Sequence, residues 1–147
     1  RYVHTRVGVG GRMDTLQCAV VLSKLERFEW ELARRRAIGA RYNALLIGSR
    51  LGLLGPKADR DTVWAQYTVF VDDRAAVQAA LQAEGIPTAV HYPTPLQQQP
   101  AYAIYGDAAG CPHSLSAAKR VVSLPMSADL SDAQQDSIVA ALLCVTA

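Results

Sequence analysis

The stretch TVWAQYTVFV, residues 62–71, and the stretch DRAAVQAALQAEG, residues 73–85, carry the clearest secondary-structure signals in the sequence. The first is dense in β-branched and aromatic residues and has apolar side chains at every second position, which predicts a strand with one buried face. The predicted face consists of Val63, Ala65, Tyr67, Val69 and Val71. The second stretch predicts a helix capped by Asp72 and stopped by Gly85. A strand leading directly into a helix indicates an α/β domain.

Upstream of this pair, residues 14–47 predict a long helix, because helix formers dominate and apolar residues recur at helical spacing. Asp14 followed by Gln17 resembles a capping box at its start. Unbroken, the helix would be about 50 Å long, which is more than so small a domain can cover. We therefore expect a break near Glu26-Arg27, or an end that projects onto a partner.

A loop is predicted over residues 48–61, before the first strand. After the helix come a strand over 86–90, which continues into His91 and Tyr92, and a long loop over 93–112. The last predicted elements are a helix over 114–120, a strand over 121–126 and a helix that begins at Ser131. Ser131 and Gln134 form a second capping box. The order predicts a two-layer α/β (α+β) fold with a small three-stranded antiparallel or mixed sheet and helices on one side. We divide the chain into a linking segment with the long helix, residues 1–48, and a small α/β domain, residues 49–147.

Composition excludes several functional classes. The net charge is +2 and half of the 147 residues are apolar, which is typical of a soluble globular protein. The only basic cluster, Arg34-Arg35-Arg36, follows acidic residues on the same helix, so a solvated helix face is favoured over a phosphate patch and no nucleic-acid partner is expected. No apolar run reaches the roughly 20 residues of a membrane span. The sequence begins at Arg1, and we expect it to be the downstream part of a longer polypeptide.

The three cysteines are Cys18, Cys111 and Cys144. Their odd number and wide spacing argue against a disulfide framework or a structural zinc site, and they fit a reducing, cytoplasmic location. His4 and His113 have no Cys or carboxylate at metal-ligand spacing, so we predict no metal site.

Two places carry candidate binding residues. Gly8, Gly10 and Gly11 precede the first helix, and Arg12 adds a positive charge there, so this helix start could bind a phosphate; a flexible lead into a capped helix is the alternative. The second place is the pair His91-Tyr92 before Pro93 and Pro95. This pair is either a structural His with a packing Tyr, or two hydrogen-bonding rings at the edge of a ligand cleft.

Three ordered motifs resemble one family: RVGVGGRMDTLQCAVVLSKLERF (6–28), GIPTAVHYPTPLQQQPAY (85–102) and RVVSLPMSADLS (120–131). Together they resemble the C-terminal part of the DegT/DnrJ/EryC1/StrS nucleotide-sugar aminotransferases, which are fold-type I enzymes dependent on pyridoxal phosphate. The first motif is most similar to enzymes that aminate UDP-linked 3-keto-hexuronic acids for bacterial surface polysaccharides, including lipopolysaccharide. The implied fold is the small domain of such an aminotransferase.

The resemblance implies roles for four residues. Arg12 would reach the sugar in the active site of a partner subunit, and His91 and Tyr92 would line the same cleft, so a homodimer with shared active sites is implied. The implied substrates are a nucleotide sugar and glutamate as the amino donor. Gly10 stands where the family usually has an Asn that contacts the cofactor phosphate of the neighbouring subunit, and it can offer only its backbone N–H.

The resemblance places the Schiff-base Lys, and the Asp at the cofactor's pyridine nitrogen, in an N-terminal domain that precedes the residues of this sequence. We therefore expect no catalytic residue in this chain and no activity from the chain alone. Two alternatives stay open: a family member that has lost catalysis, and a small α/β ligand-binding or regulatory module.

Overall fold

A computed structural model describes residues 11, 13–100, 106–107 and 109–147. Its helices are α1 Thr15–Leu25, α2 Phe28–Leu46, α3 Arg74–Ala83, α4 Pro112–Arg120 and α5 Asp132–Val145, with a short 3-10 helix at Leu96–Gln98. Its strands are β1 Gly52–Leu53, β2 Tyr67–Phe70 and β3 Val121–Leu124. The predicted α/β class is confirmed.

The predicted long helix is broken where expected. α1 ends at Leu25 and α2 begins at Phe28. Asp14 caps α1 by accepting a hydrogen bond from the backbone N–H of Gln17 at 2.8 Å. No residue of α1 is buried, whereas the second half of α2 contributes buried side chains to the core. The two helices therefore differ in what they contact, although they follow one another directly.

The sheet has the order β1-β2-β3, and both pairings are antiparallel. Tyr67 pairs with Leu124, and Phe70 pairs with Val121. Of the antiparallel and mixed sheets expected from the sequence, the antiparallel one is observed. Because side chains alternate along a strand, this register divides β2 and β3 between a core face and an opposite face.

The core lies between the sheet and three helices. Its buried apolar side chains come from α2, β2, β3, α3 and α5, and they include Ile38, Tyr42, Leu46, Tyr67, Val69, Val77, Leu81, Val122, Leu124, Ile138 and Leu142. The capping box of Ser131 and Gln134 at the start of α5 is formed as predicted. The division of the chain at residues 48 and 49 stays a prediction.

Three predicted strands were wrong in extent. β3 ends at Leu124, two residues before the end of the predicted strand over 121–126. Residues 86–90 form only an isolated bridge between Ala89 and Ser123, because Pro87 lacks an N–H for strand pairing and the N–H of Ile86 bonds to the Leu81 carbonyl. β2 is shorter than the predicted strand over 62–71. Trp64 has a φ of 51°, in the left-handed region, which turns the chain before β2 begins.

Two further boundaries need correction. β1 lies within residues 48–61, which were predicted as a loop. Gly52 allows the Phe70 side chain of β2 to approach closely, since a Cβ at position 52 would meet the Cβ of Phe70 at 3.0 Å and its ring at 3.2 Å. The cap of α3 is Asp73 and not Asp72, because Asp73 accepts the hydrogen bond from the N–H of Ala76.

The Arg34-Arg35-Arg36 cluster has a structural role. Arg34 donates to the carbonyls of Ala128 and Leu130, and Arg35 donates to the carbonyl of Trp64. Arg36 forms an ion pair of 2.8 Å with Asp61. All three guanidinium groups connect α2 to other segments of the fold, which disfavours a free phosphate patch here. Every helix in the described part of the chain lacks the length or the apolar character needed to span a bilayer.

Candidate substrate cleft

The sheet face opposite the core carries a row of three polar side chains. Thr68 of β2 pairs with Ser123 of β3, and their hydroxyl oxygens lie 2.8 Å apart. The Ser123 hydroxyl also lies 2.9 Å from Nδ1 of His91. Ser123 is only 3% exposed, so its hydroxyl has no ready access to water and is satisfied by these two neighbours. The row leads from the middle of the sheet to the His91 ring.

His91 and Tyr92 lie side by side. Their ring centroids are 5.5 Å apart and the rings meet edge to face at 87°. The sequence predicted opposite directions for them if the strand continued; it does not continue, since its pairing stops at Ala89. Strand alternation therefore does not apply, and both rings line one cleft.

The cleft has a volume of about 970 Å³ and lies between the loop that follows His91 and helix α4. Its lining is His91, Tyr92, Pro93, Thr94, Pro95, Leu96, Gln97, Gln99, Cys111, Ser114, Ala117, Ala118 and Val121. The side-chain amide of Gln97 donates to the carbonyl of Gly110 at 3.1 Å and thereby ties the loop to the segment before α4. Tyr92 is 70% exposed, so its hydroxyl is accessible from the cleft.

The chemistry of this lining is apolar with a few hydrogen-bonding groups. No described residue of the lining carries a permanent charge, since none is Asp, Glu, Lys or Arg. Such a wall can pack against the carbon skeleton of a ligand and donate or accept a small number of hydrogen bonds. It cannot by itself neutralise a phosphate or a carboxylate.

Two predicted site residues lie outside the described residues. These are Arg12 and Gly10, and their predicted contacts remain predictions. His91 and Tyr92 are consecutive in the chain, and the fold places both of them on the one cleft.

The cleft does not fit the covalent attachment of pyridoxal phosphate. The chain has three lysines, Lys24, Lys57 and Lys119; all are exposed, and none lines the cleft. A Schiff base requires a lysine amine at the site. No group of three or more His, Cys, Asp or Glu side chains suited to a metal ion occurs among the described residues.

Sequence reasoning missed Thr68, Ser123 and the side chains that α4 adds to the cleft. One signal for Ser123 was available: it is a polar residue inside the apolar run VVSL of β3. A buried Ser in such a run needs a hydrogen-bond partner, but its identity depends on which strand lies beside it.

Comparison with known proteins agrees with this architecture. The profile of the DegT/DnrJ/EryC1/StrS aminotransferase family matches residues 1–143. The UDP-2-acetamido-2-deoxy-3-oxo-D-glucuronate aminotransferase of Pseudomonas aeruginosa is 48% identical over 142 residues, which are 97% of this chain and 39% of that protein. The chain thus spans 39% of the length of this curated relative.

Solved structures give the same result. The chain resembles a DegT DnrJ EryC1 StrS aminotransferase from Brucella abortus with a TM-score of 0.87 and 39% identity, over 99% of this chain and 39% of the other. It also resembles the PLP-form of a putative sugar aminotransferase from Streptococcus pneumoniae, with a TM-score of 0.82 and 27% identity, over 91% of this chain and 36% of the other. This chain therefore belongs to the DegT/DnrJ/EryC1/StrS aminotransferase family.

Proposed function

We propose that the chain is the small-domain part of a cytoplasmic, pyridoxal-phosphate-dependent aminotransferase. The whole protein transfers an amino group from glutamate to a UDP-linked 3-keto sugar, a hexuronic acid, for surface polysaccharide biosynthesis. The observation that carries the proposal is the placement of His91 and Tyr92 on one cleft, in a chain 48% identical to a UDP-3-oxo-glucuronate aminotransferase.

His91 and Tyr92 provide hydrogen bonds for the sugar. An imidazole nitrogen can donate or accept, and a phenol hydroxyl can do both, so the pair can bind sugar hydroxyl groups of either orientation. The apolar residues beside them, such as Pro95 and Val121, exclude water from one side of the ligand. Hydrogen bonds to the sugar gain strength from that exclusion.

The carboxylate of a uronate needs a partner that the described lining does not supply. Arg12 fits this role, because a guanidinium holds a carboxylate with two parallel hydrogen bonds. In our proposal Arg12 comes from the partner subunit of a homodimer, so each active site contains residues of two chains. Gly10, two positions earlier, contributes at most its backbone N–H to the cofactor phosphate.

Pyridoxal phosphate, when bound, supplies the electron sink for amino transfer. The described residues of this chain give it no covalent anchor, so we assign the cleft residues to the sugar substrate alone. The chain by itself is inactive in this proposal.

The test is an amino-transfer assay of the whole protein with glutamate and a UDP-linked 3-keto-hexuronic acid. The matched control substrate is the corresponding 3-keto-hexose, which has a hydroxymethyl group in place of the carboxylate. We expect a clear preference for the uronate, because only the uronate can pair with a guanidinium. Equal kcat/KM for the two sugars would contradict the uronate assignment, and no transfer to either would contradict the aminotransferase.

A second experiment tests the assignment of the 147-residue chain. Incubation with pyridoxal phosphate and borohydride reduction should give no specific adduct on the 15.8 kDa chain, because no lysine lines its cleft. A single stoichiometric adduct, or amino transfer by this chain alone, would contradict the proposal that its catalytic lysine lies elsewhere.

A further inference from the structure

Ser123 holds the segment that ends in His91 at two points. Its backbone exchanges a pair of hydrogen bonds with Ala89, from Ser123 N–H to the Ala89 carbonyl at 2.8 Å and from Ala89 N–H to the Ser123 carbonyl at 3.1 Å. Two residues further on, its side-chain hydroxyl lies 2.9 Å from Nδ1 of His91. One buried residue of β3 therefore positions both the backbone before His91 and the ring itself.

Thr68 allows the Ser123 hydroxyl either to accept a hydrogen bond from His91 or to donate one to it. A serine hydroxyl has one proton to donate and can also accept, and the Thr68 hydroxyl, 2.8 Å away, can take the complementary role. If His91 donates from Nδ1, Ser123 accepts and donates onward to Thr68. If Nδ1 is unprotonated, Thr68 donates to Ser123 and Ser123 donates to His91. The row remains hydrogen-bonded in either case.

The bond at Nδ1 leaves Nε2 for the cleft. Among the described residues, the His91 ring has a hydrogen-bond partner only at Nδ1. The group bound at one ring nitrogen fixes the orientation of the ring, and the Ser123 hydroxyl can do so for either tautomer of His91. We infer that Ser123 is a positioning residue, supported by Thr68, that holds His91 so that Nε2 meets a polar group of the sugar substrate. The identity of the ligand as a sugar rests on the proposed function. The contact between Ser123 and the His91 ring is observed independently of it.

The first readout follows the ring directly. Histidines of the whole protein are labelled with ¹⁵N, and the His91 signals are identified by their loss in His91→Gln. We expect Ser123→Ala to move the Nδ1 resonance of His91, while the resonances of His113, which is exposed on α4, stay in place. If Ser123→Ala does not fold, Thr68→Val removes the second hydroxyl with little change in shape, and a smaller movement of the same resonance is expected.

The second readout is kinetic. Ser123→Ala should lower kcat/KM for the sugar nucleotide roughly tenfold, the lower end of the loss found when the hydrogen-bond partner of a metal-ligating histidine is removed. Ser137→Ala on α5 is the control, because Ser137 is exposed and donates only to the Ala133 carbonyl of its own helix. Its kcat/KM should equal that of the unmodified protein.

The outcomes distinguish the positioning role of Ser123 from the proposed sugar-binding role of His91. An unmoved Nδ1 resonance in Ser123→Ala overturns the inference, whatever the protein does. A moved resonance with unchanged kcat/KM in Ser123→Ala also overturns it if His91→Gln lowers kcat/KM. If neither substitution affects turnover although the resonance moves, Ser123 does position the ring, and the proposed role of His91 in sugar binding is wrong.

Discussion

The indole of Trp64 lies directly against the backbone of Gly39, so closely that a β-carbon at position 39 would overlap the ring. Gly39 is buried in α2, and Trp64 lies in the segment before β2, where its φ is 51°. Arg35, one helical turn before Gly39, donates a hydrogen bond to the Trp64 carbonyl at 3.3 Å. The segment that turns into β2 is thus held on α2 at two points.

We predict that Gly39→Ala destabilises the fold. Alanine favours a helix over glycine by about 1 kcal/mol, but overpacking at a buried contact costs about 1–3 kcal/mol. Because the overlap is with a large ring, we expect a net loss of about 1–2 kcal/mol in the free energy of unfolding. Urea denaturation monitored by circular dichroism measures it.

The double substitution Gly39→Ala/Trp64→Ala is the control for that contact. In the Trp64→Ala background the overlap is absent, so adding Gly39→Ala should be neutral or stabilising. An equal loss in both backgrounds would mean that Trp64 is not the obstacle.

Stability should fall at high pH because of Tyr67. Burial raises the pKa of Tyr67 from 10.0 to about 12, and the phenol donates to Asn43 Oδ1 at 2.7 Å. The pKa of Tyr67 is higher in the folded state than in the unfolded state. Its contribution to the free energy of unfolding is therefore fully present below about pH 10 and is lost as pH rises toward about 12. Denaturation midpoints measured between pH 9 and 12 should decline over this window.

Tyr67→Phe tests the assignment of this pH effect. Phenylalanine does not ionise, so the decline should become shallower. It should not disappear, because burial also raises the pKa of Tyr42, which stacks on Tyr67 with ring centroids 4.6 Å apart. An unchanged slope in Tyr67→Phe would show that other groups cause the decline.

Gln135 connects α5 to α2. It is fully buried, its amide donates to the Ile38 carbonyl at 2.8 Å, and its oxygen accepts from Arg41 at 3.4 Å. Gln135→Ala should lower the free energy of unfolding by about 1–3 kcal/mol, since it leaves buried polar groups without their partner. Gln82→Ala, at an exposed position of α3, should change it by less than about 0.5 kcal/mol. Similar losses of unfolding free energy in Gln135→Ala and Gln82→Ala would argue against a stabilising connection between α5 and α2 through Gln135.

Arg12→Ala tests the predicted sugar contact. In the whole protein it should mainly raise KM for the UDP-3-keto-uronate, because it removes the partner of the carboxylate. KM for glutamate should change little. The Arg12→Lys variant should recover only part of the loss, since an ammonium cannot make the bidentate contact. No kinetic effect of Arg12→Ala would remove Arg12 from the site.

Local signals in the sequence predicted much of the fold. The caps at Asp14 and Ser131, the break after Leu25 and the stop at Gly85 were all predictable, because each depends on residues within one or two turns of it. The alternating apolar face of β2 was correct for its central residues. The order of the three motifs was sufficient to recognise the family, which the profile match confirms.

The errors arose where distant residues decide the backbone. The apolar residues at 86–90 suggested a strand, but only Ala89 pairs, through two backbone hydrogen bonds with Ser123, while the N–H of Ile86 bonds to Leu81 at the end of α3. β1 contains a glycine and only two residues, so it carries no local strand signal; it forms because β2 offers it an edge.

The sequence by itself determined the starts of α1 and α5, the break after α1, the family and the presence of the His91-Tyr92 pair, because caps, periodicity and motifs are local properties of the chain. Only the tertiary structure decided that the two rings share one cleft and that Ser123 and Thr68 stand behind His91. These residues are separated by up to 55 positions and meet through strand pairing. The register of β2 against β3, set by packing of the core face, fixed which polar side chains meet on the other face.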